Sequence, residues 1–572
     1  MGIFNFWNWF KTNFSGSVQK LSRDKNFKDI SVDIDNLMID MNGLFHTSTQ
    51  KIYQYGMHKP KDKTIPTVIP NNRLQVKVFE DICKNIDELF HVAHPNKRMI
   101  LAVDGVAPYA KNIQMRKRRF KNAVDRKEDE DKLFDSNCIS PGTRFMDNLG
   151  RYIDWFLRKK ITEDVKWRNV EIIFSNEKSP SEGEQKIISY LRKNGNNSES
   201  YCIHGLDADI IMLSLGTQLK NLYVLRDDLY DPTNKYFIVD IGNTSLQLIE
   251  MMRWNSNKFN FDEENCVNDF IFMGFMAGND FLPHIPSIEI LEGGIDIMID
   301  IYKNVCVNTG HFTKSNEIEF TFSKIALKMF FDEISHFEKP ILEKKLLTKG
   351  YFTDETLLNC ATFDKNMVDL DIEKYREQYC EKYFGKGKRH LKNITHHYLD
   401  GLQWVMTYYK KGCPNWLWFY NYNYVLPTSV MTKHMLSFSP SKHGKTQPLL
   451  PFQQLLAVLP PKSSQLLPKP LDTLLTNNDS LIKEYYPDVF EVDLAGKKRE
   501  YQGIVLLPMI QPEILIDAYQ TQNSFIDERE LKRNIFGKTF LYSYDLNTNT
   551  NFISYYGNIN NCKTKIRPVY VM

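Results

Sequence analysis

A chain of 572 residues is far longer than one hydrophobic core supports, so two or more packed regions are expected. Hydrophobic residues make up 42% and charged residues 25%, as in ordinary globular proteins, and no apolar run approaches the roughly 20 residues that span a bilayer. The net charge of +3 excludes a global positive field, so any polyanion must meet local basic clusters. The 9 cysteines are scattered and never form a CxxC pair, which indicates neither a disulfide framework nor a zinc site.

The order of the predicted elements indicates an α/β fold. The opening MGIFNFWNWF is a candidate aromatic helix whose Phe6, Trp7 and Phe10 are expected in the core. From there to about Pro286, apolar runs alternate with helical stretches, which is typical of βαβ units and a mostly parallel sheet flanked by helices. We expect a first region over 1–300, a helical connector over 301–390, and a second region, rich in aromatics and proline, over 391–572. Within the second region, the 440–470 stretch is expected to be a long surface loop.

Acidic residues mark the ends of the apolar runs in the first region. In an open α/β sheet, side chains at the carboxyl ends of strands project into one crevice. Carboxylates gathered there repel one another unless cations lie among them, and hard divalent ions such as Mg²⁺ prefer oxygen ligands. The pattern therefore predicts a nuclease centre in which two Mg²⁺ or Mn²⁺ ions activate water for phosphodiester hydrolysis. The residues concerned are Asp40, Asp104, Glu182, Glu184, Asp207, Asp209 and Asp280.

The spacing within two of these motifs predicts local geometry. Asp207 and Asp209 are two residues apart, so on an extended strand both side chains point to one face and can share a metal. Glu182 and Glu184 have the same spacing. On a continuous helix they would splay apart, so Gly183 is expected to bend the backbone just before a helix that begins near Gln185.

A basic segment follows Asp104 closely. If YAKNIQMRKRRFKNAV is helical from about Tyr109, then Lys111, Met115, Arg118 and Arg119 fall on one face of the helix. Arginine offers a bidentate fork to phosphate oxygens and lysine a point charge. This face therefore predicts a phosphate pocket beside the acidic centre.

Nine segments, in order along nearly the whole chain, carry a family resemblance. They are MGI, IDMNGLFH, LAVDGVAPYAK, FDSNCISPGTRFM, VEIIFSNEKSPSEGEQKII, GLDADIIML, FMGFMAGNDFLP, GLQWVMTYYKKGCPNW and PFQQLLAVLPP. With these motifs the chain resembles the XRN family of 5′-to-3′ exoribonucleases, closest to the cytoplasmic type. It resembles a short form that lacks the large carboxyl-terminal domains, and its richness in Asn, Lys, Ile, Phe and Tyr suggests an AT-rich genome such as that of a large DNA virus or a lower eukaryote.

The resemblance implies roles for individual residues. The seven carboxylates would bind two Mg²⁺ or Mn²⁺ ions, and the core over 1–300 would be a PIN/flap-nuclease-like core that cuts one nucleotide at a time. Lys111, Arg118 and Arg119 would grip the 5′-monophosphate. His46 would stack on the 5′-terminal base, with Trp416 or Trp418 on its other side, since every base offers a π-face and sequence need not be read. Met115 stands where the family pocket carries a glutamine, a departure that removes a hydrogen-bond donor.

The expected activity is processive 5′-to-3′ degradation of single-stranded RNA with a 5′-monophosphate, as in decapped mRNA. A structure-specific 5′ DNA or flap nuclease and a catalytically silent RNA-binding scaffold remain alternatives. The resemblance implies a cytoplasmic monomer without a membrane partner, with a decapping enzyme or another decay factor as a candidate partner. The amino-terminal helix would block duplex at the entrance.

Overall fold

A computed structural model describes residues 5–22, 25–62, 68–124, 133–228, 234–290, 293–315, 320–364, 367–385, 387–441 and 444–570. The opening MGI segment lies outside these residues. The strands are β1 Val18–Ser22, β2 Asn36–Asp40, β3 Arg98–Ala102, β4 Glu171–Ser175, β5 Tyr201–His204, β6 Leu222–Asp227, β7 Asn234–Asp240, β8 Thr313–Ser315, β9 Phe320–Phe322, β10 Ala361–Asp364, β11 Met367–Leu370, β12 Glu491–Asp493, β13 Ile504–Leu506, β14 Thr539–Tyr544, β15 Thr550–Phe552, β16 Ile559–Cys562 and β17 Thr564–Val569.

The helices cover both faces of the sheet and build most of the rest of the chain. They are α1 Phe6–Asn13, α2 Met41–Tyr53, α3 Asn72–Ala93, α4 Tyr109–Val124, α5 Arg144–Glu163, α6 Val165–Arg168, α7 Gly183–Asn194, α8 Asp209–Thr217, α9 Ile241–Met252, α10 Glu263–Gly274, α11 Gly294–Thr309, α12 Lys324–Leu347, α13 Glu355–Leu358, α14 Ile372–Phe384, α15 Lys388–Lys411, α16 Thr428–Met435, α17 Pro451–Val458, α18 Thr473–Thr476, α19 Pro512–Asn523 and α20 Glu528–Leu531.

The central sheet has nine strands in the order β1-β7-β6-β5-β2-β3-β4-β14-β17. Its five middle strands, from β6 to β4, are parallel. Antiparallel strands complete both edges: β7 and β1 on one side, β14 and β17 on the other. The predicted α/β class with a mostly parallel sheet between helices is confirmed in this central part.

Both faces of the parallel strands are buried, as the apolar runs predict. On β2, Leu37 and Ile39 face one core, together with residues of α2, α3 and α5. Met38, between them, faces the larger core, to which α1, α4, α7, α8 and the second region contribute. Phe6 and Phe10 of α1 are fully buried there, as predicted, whereas Trp7 is half-buried.

The second region packs directly on the helix that carries the basic motif. The expected surface loop over 440–470 is wrong for its middle part, because α17 lies there with Phe452 and Leu455 completely buried. Arg116 of α4 donates a hydrogen bond from Nη1 to the carbonyl of Ala457, 3.1 Å away. Apolar residues at successive turns made this segment a core helix although prolines flank it.

The three-part division of the chain stays a prediction, with two features bearing on it. Residues 301–390 hold most of α11, all of α12 to α14 and two small hairpins, β8–β9 and β10–β11. Strands β14 and β17, from the end of the chain, join the same sheet as β2 and β3. Among the described residues, no helix is long and apolar enough to cross a membrane.

Candidate active site

The acidic residues meet at the carboxyl edge of the parallel strands. Asp40 is the last residue of β2, and Asp104 follows β3 by two residues. Glu182 is the residue before α7, and Asp209 is the first residue of α8. Because β3 and β5 lie on opposite sides of β2, the connections leave the sheet in two directions there. Such a switch point opens the crevice in which α/β sheets bind ligands.

Gly183 allows two of the strand ends to approach one another. Its N–H donates a hydrogen bond to Asp104 Oδ1, 2.6 Å away. A Cβ at this position would lie 2.5 Å from Asp40 Oδ1 and 2.9 Å from the carbonyl of Ala102. The predicted bend before a helix near Gln185 is wrong, because α7 already begins at Gly183. Glycine is needed here because the carboxylates come too close for a side chain.

The extended arrangement predicted for Asp207 and Asp209 is also wrong. β5 ends at His204, and the chain turns through Gly205 into α8. A Cβ on Gly205 would lie 2.4 Å from Ile210 Cδ1, so the turn is tightly packed. As a result Asp207 is exposed on a loop, whereas Asp209 is buried in the first turn of the helix.

Lys111 lies between two of the carboxylates. Its Nζ lies 2.7 Å from Asp280 Oδ2 and also forms a close ion pair with Glu182 Oε2. Gln114, one turn further along α4, approaches Asp280 Oδ1 at 3.4 Å through Nε2. The loop that carries Asp280 is braced by Asn279, whose Oδ1 accepts from two backbone N–H groups at 2.8 Å. The helix predicted from Tyr109 is confirmed, and Lys111 on it contacts the acidic centre directly.

Burial and nearby charges shift the pKa values of several carboxyl groups in the acidic centre away from their usual range. Burial first, then Asp104 and Asp207, raise the pKa of Asp40 well above its usual range. Burial and Asp207 raise the pKa of Asp209 to about 7. Burial would raise the pKa of Asp280 too, but the ammonium of Lys111 holds that pKa below its usual range. The centre thus concentrates more negative charge than its own residues neutralise.

The donor set fits hard divalent ions. All seven groups offer oxygen ligands, which Mg²⁺ and Mn²⁺ prefer. Asp40 Oδ1 and Asp209 Oδ1 are buried without a hydrogen-bond partner within the described chain. A cation near them would stabilise their negative charge. In the described part of the chain no three acidic, His or Cys side chains are arranged as a ready-made metal site. The Lys111 ammonium instead neutralises Glu182 and Asp280 directly.

A basic side adjoins the acidic centre. Arg119 of α4 is buried and donates a hydrogen bond from Nη2 to Ser140 Oγ at 2.7 Å, while its Nη1 is buried without a partner. Arg118 is exposed. Burial lowers the pKa of His46 to about 4, and the positive charges of Arg118 and Arg119 act in the same direction. His46 thus lies within electrostatic reach of both arginines.

The two candidate stacking tryptophans differ in their surroundings. The ring of Trp418 stacks on that of Trp404 with centroids 5.0 Å apart. The half-buried ring of Trp416 meets no other ring and no cation among the residues the structure describes, although its backbone N–H donates to Thr446 Oγ1 at 2.7 Å. Only Trp416 therefore keeps both faces without an aromatic neighbour.

Sequence reasoning missed three residues that contact the site. Tyr408 donates its hydroxyl hydrogen to Glu182 Oε1 at 2.9 Å. Arg226 donates from Nη1 to the carbonyl of Asp207 and from Nη2 to that of Leu206, both at 2.5 Å. Gln114 is the third. The signals were weak: Tyr408 lies in an aromatic helix that resembles ordinary core, and Arg226 is the penultimate residue of a strand of unremarkable composition.

Family models match most of the chain. The model described as the XRN 5′-3′ exonuclease N-terminus matches residues 1–228, and the one described as the Xrn1 helical domain matches residues 260–357 and 355–571. This chain belongs to the XRN 5′-3′ exonuclease family. The XRN resemblance seen in the motifs is thereby confirmed.

Curated XRN relatives match over nearly the full chain. The 5′-3′ exoribonuclease 1 of Schizosaccharomyces pombe is 29% identical over 95% of this chain and 50% of its own length. The human 5′-3′ exoribonuclease 1 is 29% identical over 96% of this chain and 36% of its own length. The chain thus spans half or less of these two relatives. Among solved structures, the catalytic core of Rad2 in complex with DNA substrate aligns over 76% of this chain at 12% identity with a TM-score of 0.32, a likeness too weak to bear on function.

Proposed function

We propose that this protein is a processive 5′-to-3′ exoribonuclease that degrades single-stranded RNA with a 5′-monophosphate to mononucleotides. The observation that carries the proposal is the meeting of buried carboxylates with the basic helix α4 at one edge of the sheet, in a chain of the XRN family. The curated relatives are named 5′-3′ exoribonucleases, which supports the same direction of cleavage.

The seven carboxylates would hold two Mg²⁺ or Mn²⁺ ions. When bound, such a pair of ions activates a water and stabilises the leaving oxygen of an in-line displacement. The protein's own contribution is to hold the ligands in place. Gly183 brings Asp40 and Asp104 together, and Lys111 holds Glu182 and Asp280 beside one another.

The 5′-phosphate would meet Arg118 and Arg119. Ser140 anchors one nitrogen of the Arg119 guanidinium and leaves Nη1 for the ligand, since that atom has no partner within the described chain. A buried guanidinium with a free donor suits a phosphate oxygen better than a hydroxyl, because the charged acceptor forms the stronger hydrogen bond. Burial lowers the pKa of Arg119 to about 9, so the group stays charged near pH 7.

The 5′-terminal base would stack between His46 and Trp416. Trp418 is the weaker candidate, because one of its faces already packs on the buried Trp404. Stacking tolerates any base, as successive removal of nucleotides requires. Helix α1 would lie at the entrance to the active site and block double-stranded RNA.

A single RNA with different 5′ ends tests the proposal. The RNA carries a 3′ label and a 5′-monophosphate, 5′-hydroxyl or 5′-triphosphate, and is incubated with the protein in Mg²⁺ or in EDTA. Metal-dependent loss of the monophosphate RNA alone, without intermediate lengths, is the expected result. Equal cutting of all three ends, or preferential cutting of a DNA flap offered in parallel, would assign a different nuclease activity, and RNA binding without cutting would assign a scaffold.

A further inference from the structure

Each oxygen of the Glu182 carboxylate has a partner within the protein. Lys111 Nζ contacts Oε2, and the hydroxyl of Tyr408 donates to Oε1 at 2.9 Å. By contrast, Asp40 and Asp209 each have one buried oxygen without a partner in the described structure. Glu182 also lies outside the regular turns of α7, with β-region backbone angles, so its long side chain is not oriented by helix packing. Its direction must come from its two partners.

Tyr408 is itself held rigidly by other rings. Its ring stacks on that of Trp404 with centroids 5.1 Å apart and planes 27° apart, and Trp404 stacks in turn on Trp418 at 5.0 Å and 22°. Phe281 is the residue after Asp280. Its ring packs against those of Trp404 and Tyr408, with centroids 5.4 Å apart in both pairs. Trp404 is completely buried and Tyr408 is 1% exposed. We call Trp418, Trp404 and Tyr408 the ring column.

The ring column determines where the Tyr408 hydroxyl can go. Side chains packed this tightly keep one rotamer, because any other would clash with the neighbouring rings. Leaving a buried hydroxyl unpaired costs free energy, and among the described residues the hydroxyl of Tyr408 donates to Glu182 Oε1. The packed tyrosine therefore determines the direction of the hydrogen bond, and the bond orients the Glu182 carboxylate.

We propose that Tyr408 is a positioning residue that fixes the carboxylate of Glu182 for divalent-ion binding, with the ring column as its support. This proposal rests on the proposed function, because it assigns Glu182 to the metal site. Outer partners of metal ligands act in this way in general: they orient the ligand, and their loss weakens metal affinity or activity by roughly 10–100-fold. In this role the tyrosine acts through the Glu182 carboxylate, the acceptor of its hydroxyl.

The same helix offers a matched control. Tyr398 of α15 is also completely buried, but its hydroxyl has no hydrogen-bond partner within the described residues. Tyr398→Phe therefore removes a buried hydroxyl without removing an interaction with the acidic centre. A difference between the two Tyr→Phe variants reports on the bond to Glu182 and not on burial of a phenol.

The test measures Mg²⁺ and Mn²⁺ binding by calorimetry to the full-length protein without RNA, followed by kcat and KM on 5′-monophosphate RNA. For Tyr408→Phe we expect metal affinity to fall by about 10-fold, kcat to fall with it at limiting Mg²⁺, and KM for RNA to stay within about twofold. Tyr398→Phe should match the wild-type protein in all three quantities. Unchanged metal affinity in Tyr408→Phe would overturn the proposal.

A double variant separates positioning from a general effect on the fold. If Tyr408 acts through Glu182, then Tyr408→Phe adds no further loss of metal affinity in a Glu182→Gln background. Additive losses would overturn the proposal. Failure of the proposed function gives a different result: the wild-type protein itself would neither bind Mg²⁺ nor degrade the RNA.

Discussion

Tyr109, the first residue of α4, donates its backbone N–H to the carbonyl of Trp416, 2.8 Å away. Its hydroxyl also donates to the carbonyl of Ile510 at 2.8 Å. The start of the basic helix is therefore fixed to two separate segments of the second region. Since α4 carries Arg118 and Arg119, the candidate phosphate pocket and the candidate stacking residue Trp416 keep a constant separation. Under the proposed function, a constant separation would match the fixed distance between a 5′-phosphate and the first base.

Glu184→Gln should abolish turnover and keep RNA binding. The change removes one carboxylate charge from the acidic centre at nearly constant volume, and we expect kcat to fall by at least about 10²–10³-fold, as when a key electrostatic group is lost. The measurement is single-turnover degradation of 5′-monophosphate RNA, with affinity from fluorescence anisotropy. Glu177→Gln is the control, because Glu177 is also a buried glutamate and contacts none of the seven carboxylates in a hydrogen bond or ion pair. Retained cleavage in Glu184→Gln would refute the metal assignment.

Gly183→Ala should damage the acidic centre through a single methyl group. The added Cβ would lie 2.5 Å from Asp40 Oδ1 and 2.9 Å from a backbone carbonyl, so the strand ends must separate. We expect a loss of about 1–3 kcal/mol in the free energy of unfolding, together with loss of turnover. Urea denaturation and the RNA assay measure both. Gly444→Ala is the control, since nothing lies within 4 Å of a Cβ there; equal effects of the two substitutions would contradict the close approach.

Arg119→Ala should remove the preference for a 5′-phosphate. The free guanidinium nitrogen is lost, so RNA with a 5′-monophosphate and RNA with a 5′-hydroxyl should be degraded at similar, slow rates. The ratio of kcat/KM for the two substrates is the measurement. Lys121→Ala, on the same helix, should keep the ratio, because the Lys121 ammonium contacts the carbonyl of Glu500 instead. A preserved ratio in Arg119→Ala would place the phosphate pocket elsewhere.

Trp416→Ala should weaken RNA binding, whereas Trp418→Ala should lower the stability of the fold. Loss of Trp416 should weaken RNA binding by about 1–3 kcal/mol, the usual value for one stacked base, and leave the Tm nearly unchanged. Loss of Trp418 removes a ring packed on Trp404 and should lower the free energy of unfolding by about 2 kcal/mol or more. Anisotropy titrations and thermal denaturation distinguish them. If Trp418→Ala alone weakens binding at full stability, the stacking assignment reverses.

Stability without divalent ions should fall as the pH rises. The pKa of Asp209 is raised to about 7, whereas an aspartate in an unfolded chain has a pKa of about 3.9. The folded state therefore holds an extra proton between these values. Its stabilising contribution is fully present below about pH 4 and is lost as the pH passes through about 7.

Urea denaturation in EDTA at several pH values between about 6 and 8, roughly one unit to either side of the raised pKa, would measure this fall. Asp209→Asn should reduce the slope, because its amide does not titrate. Mg²⁺ should restore stability most at the higher pH, since ions bind the ionised carboxylates. An identical slope for the two proteins would show that Asp209 does not titrate in the folded state.

The sequence predicted the sheet and the acidic edge because both depend on local pattern. Apolar runs of strand length alternate with helices, and each of the acidic motifs follows such a run. The backbone geometry at the motifs was predicted incorrectly. Spacing alone could not tell that β5 stops at His204 or that α7 begins at Gly183, because these limits depend on close packing against Ile210 and Asp40.

Contacts between segments far apart in the chain could not be predicted from the sequence. Tyr408 and Glu182 are 226 residues apart, and nothing in either motif indicates that the other is its partner. The helix α17 was missed for a similar reason. Prolines and polar residues around it are typical of a loop, and its burial depends on the surface that α4 offers.

The way in which β14 joins the sheet has a consequence for synthesis of the protein. β14 pairs with β4 across 364 residues, as the hydrogen bond from Thr539 to Ser175 illustrates. A ribosome that has finished the acidic motifs has still to make almost half of the chain before the edge of β4 is covered. Until then the nascent chain presents an open strand edge to its surroundings, a state that invites wrong pairing. We therefore expect chaperone dependence during translation, and ribosome-bound chains without catalytic competence.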